Sequence, residues 1–276
     1  KALALGRSAV WTVRYIKDGK LMSYVISLLR DDLVDVRVTE PTEAEHTLGT
    51  GVEVRVTELD RTYRSLDPAR SVQALSEVFA LYLTDYSEVG IYVEHNRLDP
   101  SALIADRLSF ELEPIVEGKE SYPATIELIE WKSASERWFF LCGTDGFPFQ
   151  RNSPKFHTPG FQFSAYLKSG YIDVLQERGV LDLAEMNTCL QEAYDAAAEQ
   201  IKSHFRAKDV EAAQSEIAQW KDENVYPYRS EPQNSVERAE RKIFDIVALN
   251  VNKHLQDFNQ QSAKSRAFQM RMLRQA

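Results

Sequence analysis

The stretch HTLGTGVEVRV, residues 46–56, contains Gly49-Thr50-Gly51 ahead of a run of valines. Such a segment can bring backbone N–H groups and a hydroxyl close to a ligand, or it can only turn the chain into a strand. Few other residues here are spaced for chemistry. The five histidines, His46, His95, His157, His204 and His254, are scattered. Cys142 and Cys189 lack C-x-x-C spacing, so neither a zinc site nor a disulfide framework is suggested, and both read as buried, reduced thiols. G-x-x-x-x-G-K-[ST], H-E-x-x-H and G-x-S-x-G are absent, and no metal ligands are expected. Glu127 and Glu130, three apart in a strand, point to opposite faces and read as solvent-facing carboxylates rather than an acid/base pair.

The elements around Gly49-Thr50 are legible from periodicity. Val34-Asp35-Val36-Arg37-Val38-Thr39 and Val52-Glu53-Val54-Arg55-Val56-Thr57 alternate like half-buried strands. As antiparallel neighbours they would pair Asp35 with Arg55 and Arg37 with Glu53. Trp11-Val13-Tyr15 and the run Leu21 to Leu29 predict two more strands around an Asp18-Gly19 turn. The small antiparallel sheet that results has an apolar face needing a cover.

A helix is predicted over Pro68 to Thr84, with Asp67 at its cap. Strands follow at 89–94, 106–113, 124–131, 136–142 and 161–167. From residue 182 the pattern turns helical. Asp182 and Glu185 form a capping box ahead of Leu183, Met186, Leu190, Tyr194, Ala197, Ile201 and Phe205. A second helix is expected over Val210 to Trp220, before the Tyr226-Pro227-Tyr228 break. Asn234 and Glu237 then cap a helix with the stripe Val236, Ala239, Ile243, Val247, Val251, Leu255 and Phe258. The end, MRMLRQA, carries no helix stop signal, which suggests that the chain continues.

The 276 residues, 43% of them hydrophobic, suffice for one large or two ordinary domains. No apolar run reaches membrane-spanning length and the first residues do not read as a signal peptide, so a cytoplasmic protein without membrane contact is expected. A net charge of −9 argues against nonspecific nucleic-acid binding by the chain as a whole. Residues 235–276, however, carry eight Lys/Arg against four Asp/Glu, a basic helical end that could meet DNA or an acidic partner.

Taken in order, KALALGRSAVWTVRY, a strand, LGTGVEVRVTELDRTYRSLDPAR and a helix resemble the later half of the GHKL ATP-binding domain. Gyrase B, the large heat-shock chaperones, histidine kinases and MutL share that domain, and MutL-like and MORC-like bacterial members come nearest. The fold class implied is α+β: a remnant of a GHKL (Bergerat) ATP-domain sheet over 1–66, a transducer-like α+β domain over 67–180, and a helical extension over 181–276. The resemblance matches Gly49 and Thr50 to the Gly-Thr whose threonine helps to hold adenine. It places Lys1 at the helix that follows the phosphate lid, near phosphates. NSPKF, residues 152–156, is similar to the MutL-type loop whose lysine reaches the γ-phosphate, which makes Lys155 the candidate catalytic residue.

The superfamily's catalytic glutamate, its magnesium-binding asparagine and its Asp-x-Gly-x-Gly segment have no match in this sequence. The resemblance therefore implies a central fragment of an ATPase that couples ATP binding and hydrolysis to conformational change or homodimerisation. ATP and Mg2+ would be cofactors of the parent protein, with none expected on the fragment, which should not hydrolyse ATP by itself. The alternative reading is a non-enzymatic module that binds a protein client or DNA through residues 235–276.

Overall fold

The computed structural model describes residues 2–45, 49–63, 67–133, 135–255 and 257–275. The chain divides into two compact units, Lys1–Val72 and Gln73–Ala276. Its content is mixed α+β, with antiparallel and mixed sheets and a helical C-terminal region. Among the described residues no helix is long and apolar enough to cross a membrane.

In the first unit a 3-10 turn, Ala2–Ala4, precedes β1 (Gly6–Lys17), β2 (Lys20–Leu29), β3 (Asp32–Val38), the short β4 (Thr42–Glu43) and β5 (Gly51–Leu59). They form one antiparallel sheet in the order β3-β2-β1-β5, with β4 also on β2. The β1–β2 hairpin closes where expected, at Asp18 (φ 51°) and Gly19 (φ 76°). Two successive positive φ values give the turn whose twist suits a tight hairpin.

The expected pairing of β3 with β5 is not found. The β1–β2 hairpin lies between them, because β5 returns to the free edge of β1 while β3 follows β2. Arg37 instead pairs with Asp35 at 3.1 Å and Arg55 with Glu53 at 2.9 Å. Residues two apart on a strand share a face, so each edge strand satisfies its own charges locally.

The sheet's register sets Trp11 between Ile26 and Val54, and Val13 between Tyr24 and Val52, so one face is apolar across three strands. Ala9 and Leu21 are nevertheless the fully buried apolar side chains among its described residues, while Val52 and Val54 are about half exposed.

The helix α1 (Pro68–Val78) crosses the boundary between the units, and α2 (Ala80–Asp85) follows. The single helix expected over 68–84 is thus broken at Phe79, whose ψ of 13° takes it out of helical geometry. After β6 (Tyr92–Val93) and β7 (Asn96–Arg97) come β8 (Ile104–Glu117), β9 (Glu120–Trp131), β10 (Trp138–Cys142), β11 (Pro148–Asn152) and β12 (Phe163–Ser169). The order is β11-β10-β12-β9-β8, with β10 parallel to β12 and the other pairs antiparallel. β11, whose PFQRN sequence has little alternation, was not legible as a strand.

Helices α3 (Gly170–Glu177), α4 (Thr188–Asp222), α5 (Ser235–His254) and α6 (Ala263–Gln275) complete the second unit, with a 3-10 segment at Leu181–Met186. Both faces of its sheet are covered. Ala124, Ile126, Leu128, Phe139, Leu141, Phe163 and Leu167 meet α3 and the first half of α4 through Tyr171, Ile172, Ala197, Ile201 and Phe205. On the opposite face Ile129, Trp131, Phe140, Cys142 and Tyr166 pack with Ala80 and Leu81 of α2. A strand buried on both faces carries apolar residues at odd and even positions alike, as Ile126, Leu128, Ile129 and Trp131 do.

Two helical expectations change. Asp182 and Glu185 lie inside the 3-10 segment, whose start carries no side-chain cap, and Asn187 caps α4, its side chain accepting from the Leu190 N–H at 3.0 Å. Nothing between Phe205 and Val210 breaks the helix, so the two predicted helices are one of 35 residues, about 52 Å long. Its far end carries Trp220 into a second core with Val225, Tyr226, Phe244, Ala248, Phe258 and Met270. Asn234 caps α5 as expected, accepting from the Glu237 N–H at 2.8 Å. The buried stripe of α5, however, is Phe244 and Ala248 rather than Ile243 and Val247, which are exposed. This is a rotation of one residue, about 100°, that brings Phe244 edge-on to Tyr226 and Tyr228.

Candidate functional site

Gly49 and Thr50 lie in the first unit, in the exposed turn leading into β5. The Gly49 carbonyl accepts a hydrogen bond from Arg14 Nε at 3.2 Å, which ties the turn to β1. Among the described residues, chain neighbours aside, no atom lies within 4 Å of where a Cβ on Gly49 or Gly51 would stand, and Gly51 takes a φ of +155°, which L side chains rarely adopt. The turn is therefore open to close approach by a ligand, and it is equally a strand entry that needs glycine for its backbone. Lys1 lies outside the described residues.

Lys155 belongs to the second unit, on the loop between β11 and β12. Its backbone is held firmly. The Lys155 N–H donates to the Tyr194 hydroxyl of α4 at 2.6 Å, and the neighbouring Phe156 ring stacks on Phe163. Burial pushes the Tyr194 phenol above its ordinary range, so the hydroxyl that accepts this bond stays protonated. The Lys155 tip is held loosely. Its Nζ is 3.1 Å from a Glu185 carboxylate oxygen, with both side chains more than half exposed. An exposed pair of this kind contributes little, so the ammonium is available to a stronger anion.

The two carboxylates of β9 depart from expectation. Glu127 and Glu130 do face opposite sides, but both are buried and ion-paired. Glu127 accepts from Arg107 Nε at 3.0 Å, and Arg107 in turn donates to Asp85 at 2.6 Å. Glu130 takes Lys208 Nζ on both oxygens, at 2.8 and 2.7 Å, and stands 2.8 Å from His204 Nε2. The physical reason is the double cover of the sheet: on one face α4 brings His204 and Lys208 to Glu130, and on the other Arg107 of the adjacent strand β8 is held between Glu127 and Asp85 of α2. The i, i+4 spacing of His204 and Lys208 on the face of α4 that carries Ile201 and Phe205 was the signal that could have found this cluster.

Among the described residues no group of three or more His, Cys, Asp or Glu is placed to hold a metal ion. Cys142 is buried, which raises its thiol far above the usual range and leaves it inert. A cavity of about 670 Å³, whose walls do not include Lys155, lies at the corner between α4 and α5.

No protein-family model and no curated protein sequence matches the chain. Among solved structures it is similar to a mutant MutL ATPase domain from Aquifex aeolicus, at 12% identity over 61% of this chain and 69% of that one, with a TM-score of 0.27.

Proposed function

We propose that this chain is a coupling segment of a GHKL-type ATPase, passing the state of a bound nucleotide to a helical arm. In this reading Gly49 and Thr50, on their open turn, border the adenine and Lys155 meets the γ-phosphate. ATP, when bound, supplies the anion that draws Lys155 away from Glu185. The observation that carries the reading is the bond from the Lys155 N–H to the Tyr194 hydroxyl. Through it the loop is fixed to α4, and α4 is one continuous helix running from the sheet's core to the second core around Trp220. A change at the loop therefore reaches the helical region through a stiff element. ATP-driven homodimerisation belongs to the same reading, and the apolar face of the first unit supports it.

The test is ATP turnover by the natural protein that carries this segment. Lys155→Ala is expected to lower kcat by about 100-fold or more, and Tyr194→Phe to lower kcat with KM unchanged. Wild-type turnover in Lys155→Ala would overturn the assignment. Titrated calorimetrically by itself with magnesium and a non-hydrolysable ATP analogue, the chain is expected to show no tight binding. Tight binding abolished by both Thr50→Ala and Lys155→Ala would mean that these residues form a more complete pocket than proposed.

A second reading, a non-enzymatic interaction module, is favoured by Val236, Ile243 and Ile246, apolar residues of α5 that are each more than 60% exposed. Turnover in the natural protein that is insensitive to Lys155 but a partner complex lost on Ile243→Asp would select it.

A further inference from the structure

The cavity at the corner between α4 and α5 has an unusual charge for this protein. Its walls include Lys221 from the last turn of α4, Arg229 from the connecting segment, and Arg238, Arg241 and Lys242 from the first turns of α5. Against these five cations stand two carboxylates, Glu231 and Asp245, whereas the whole chain carries −9. Lys221 lies over the Tyr226 ring, and the other four cations fall into two kinds.

Arg241 is part of the wall. It donates to the Ser230 carbonyl at 2.5 Å and to Glu237 at 2.6 Å, and its guanidinium lies over the Tyr228 ring. One of the two carboxylates is likewise engaged, since Asp245 accepts from the Tyr226 hydroxyl at 2.6 Å. Arg229, Arg238 and Lys242 are exposed, and among the described residues their side chains make no ion pair or hydrogen bond. Arg238 and Lys242 stand one helical turn apart, a spacing at which like charges repel and weaken a helix. The fold thus holds three unspent cations around one cavity, at some expense to α5.

We propose that this cavity binds a ligand carrying at least two phosphate groups. Its volume falls in the range of small-molecule sites and exceeds what a single phosphate fills. Arginine forks match phosphate oxygens in pairs, and lysine adds a point charge. A single carboxylate would leave the excess positive charge largely uncompensated, whereas two or three linked phosphates neutralise it in one molecule. The face of Tyr228 is already taken by Arg241 and Arg274, so recognition rests on the phosphates rather than on stacking of a base. Free oligophosphates and the phosphates of a nucleic-acid strand share this chemistry.

The experiment is titration of the chain, by calorimetry at about 50 mM salt, with sodium tripolyphosphate and with a short oligothymidylate, poly-glutamate serving as a non-phosphate polyanion. Both phosphate ligands are expected to bind. Arg238→Ser combined with Lys242→Ser should weaken them at least tenfold, and Lys253→Ser combined with Lys264→Ser, elsewhere on α5 and α6, should leave them unchanged. Both pairs are exposed, so the fold is expected to survive either change, and circular dichroism checks it. Tighter binding of tripolyphosphate than of the oligomer at equal phosphate concentration assigns a free ligand, and the reverse order assigns a strand. No binding, equal losses in both double variants, or poly-glutamate binding as tightly as tripolyphosphate would overturn the proposal.

Discussion

The two sheets of this protein are built from similar strands and end in different states. In the second unit β9 is apolar on both faces, and helices cover both, so Ile126, Leu128 and Ile129 are fully buried. In the first unit the apolar face that runs through Trp11, Val13, Ile26 and Val54 remains half open. The difference lies in the helices each unit supplies. The second sheet is covered by α2, which precedes it in the chain, and by α3 and α4, which follow it, while among the described residues of its own unit the first has only the 3-10 turn and the first residues of α1. A strand pattern specifies pairing, and a cover specifies stability. The first unit is therefore the region whose order responds most to whatever binds it.

The largest contrast should appear on truncating a core aromatic. Phe139→Ala, at a fully buried position, is expected to cost about 3–5 kcal/mol in denaturant unfolding. Trp11→Ala, on the half-open face, should cost about 1 kcal/mol. Equal costs would mean that the first sheet is covered as well as the second. The buried charges give a smaller contrast. Lys208→Ala leaves Glu130 with His204 alone and should cost about 1–2 kcal/mol, the partial exposure of Lys208 holding the value down. Removing Arg37 from its exposed pair with Asp35 should cost almost nothing measurable. Tyr194→Phe should cost about 1 kcal/mol and remove hydrogen-exchange protection from the Lys155 amide.

Acid should separate the units least. Hydrogen bonds donated by Arg7 and Arg30 hold the Asp31 and Asp60 carboxyls of the first unit below their ordinary range. A carboxylate with a depressed folded value stabilises above its unfolded value, and that contribution is lost as pH falls through the folded one. Asp99, Glu117, Glu199, Glu223 and Glu237 of the second unit are lowered as well, so both units should lose a small contribution below about pH 3.9, which pH-dependent hydrogen exchange in residues 6–59 and 104–169 would report. Loosening confined to either unit would contradict this.

The sequence was most legible where local chemistry decides the outcome. The Asp18-Gly19 hairpin, the Asn234 cap and the part of the Leu183 to Phe205 stripe from Leu190 onward rest on turn, cap and period and stand as expected, whereas Leu183 and Met186 are exposed in the 3-10 segment. It was least legible where distant elements decide. Nothing local to Val34–Thr39 or Val52–Thr57 reveals that a hairpin separates them. Nor does the α5 pattern reveal that Tyr226 and Trp220 select Phe244 over Ile243. For the candidate site, Lys155 was visible as a residue, but its tie to α4 was not, because that tie joins positions 39 apart through a backbone amide. The basic corner was visible only as an excess of Lys and Arg in residues 235–276, since Lys221 and Arg229 complete it from outside that range.

The proposed coupling is tested most directly by hydrogen exchange in the natural protein, with and without magnesium and a non-hydrolysable ATP analogue. Coupling requires protection to rise both in the 153–162 loop and in the first half of α4, and requires Tyr194→Phe to keep the rise in the loop while losing it in α4. An α4 response that survives Tyr194→Phe unchanged, or bound nucleotide with no response in the loop, would contradict it.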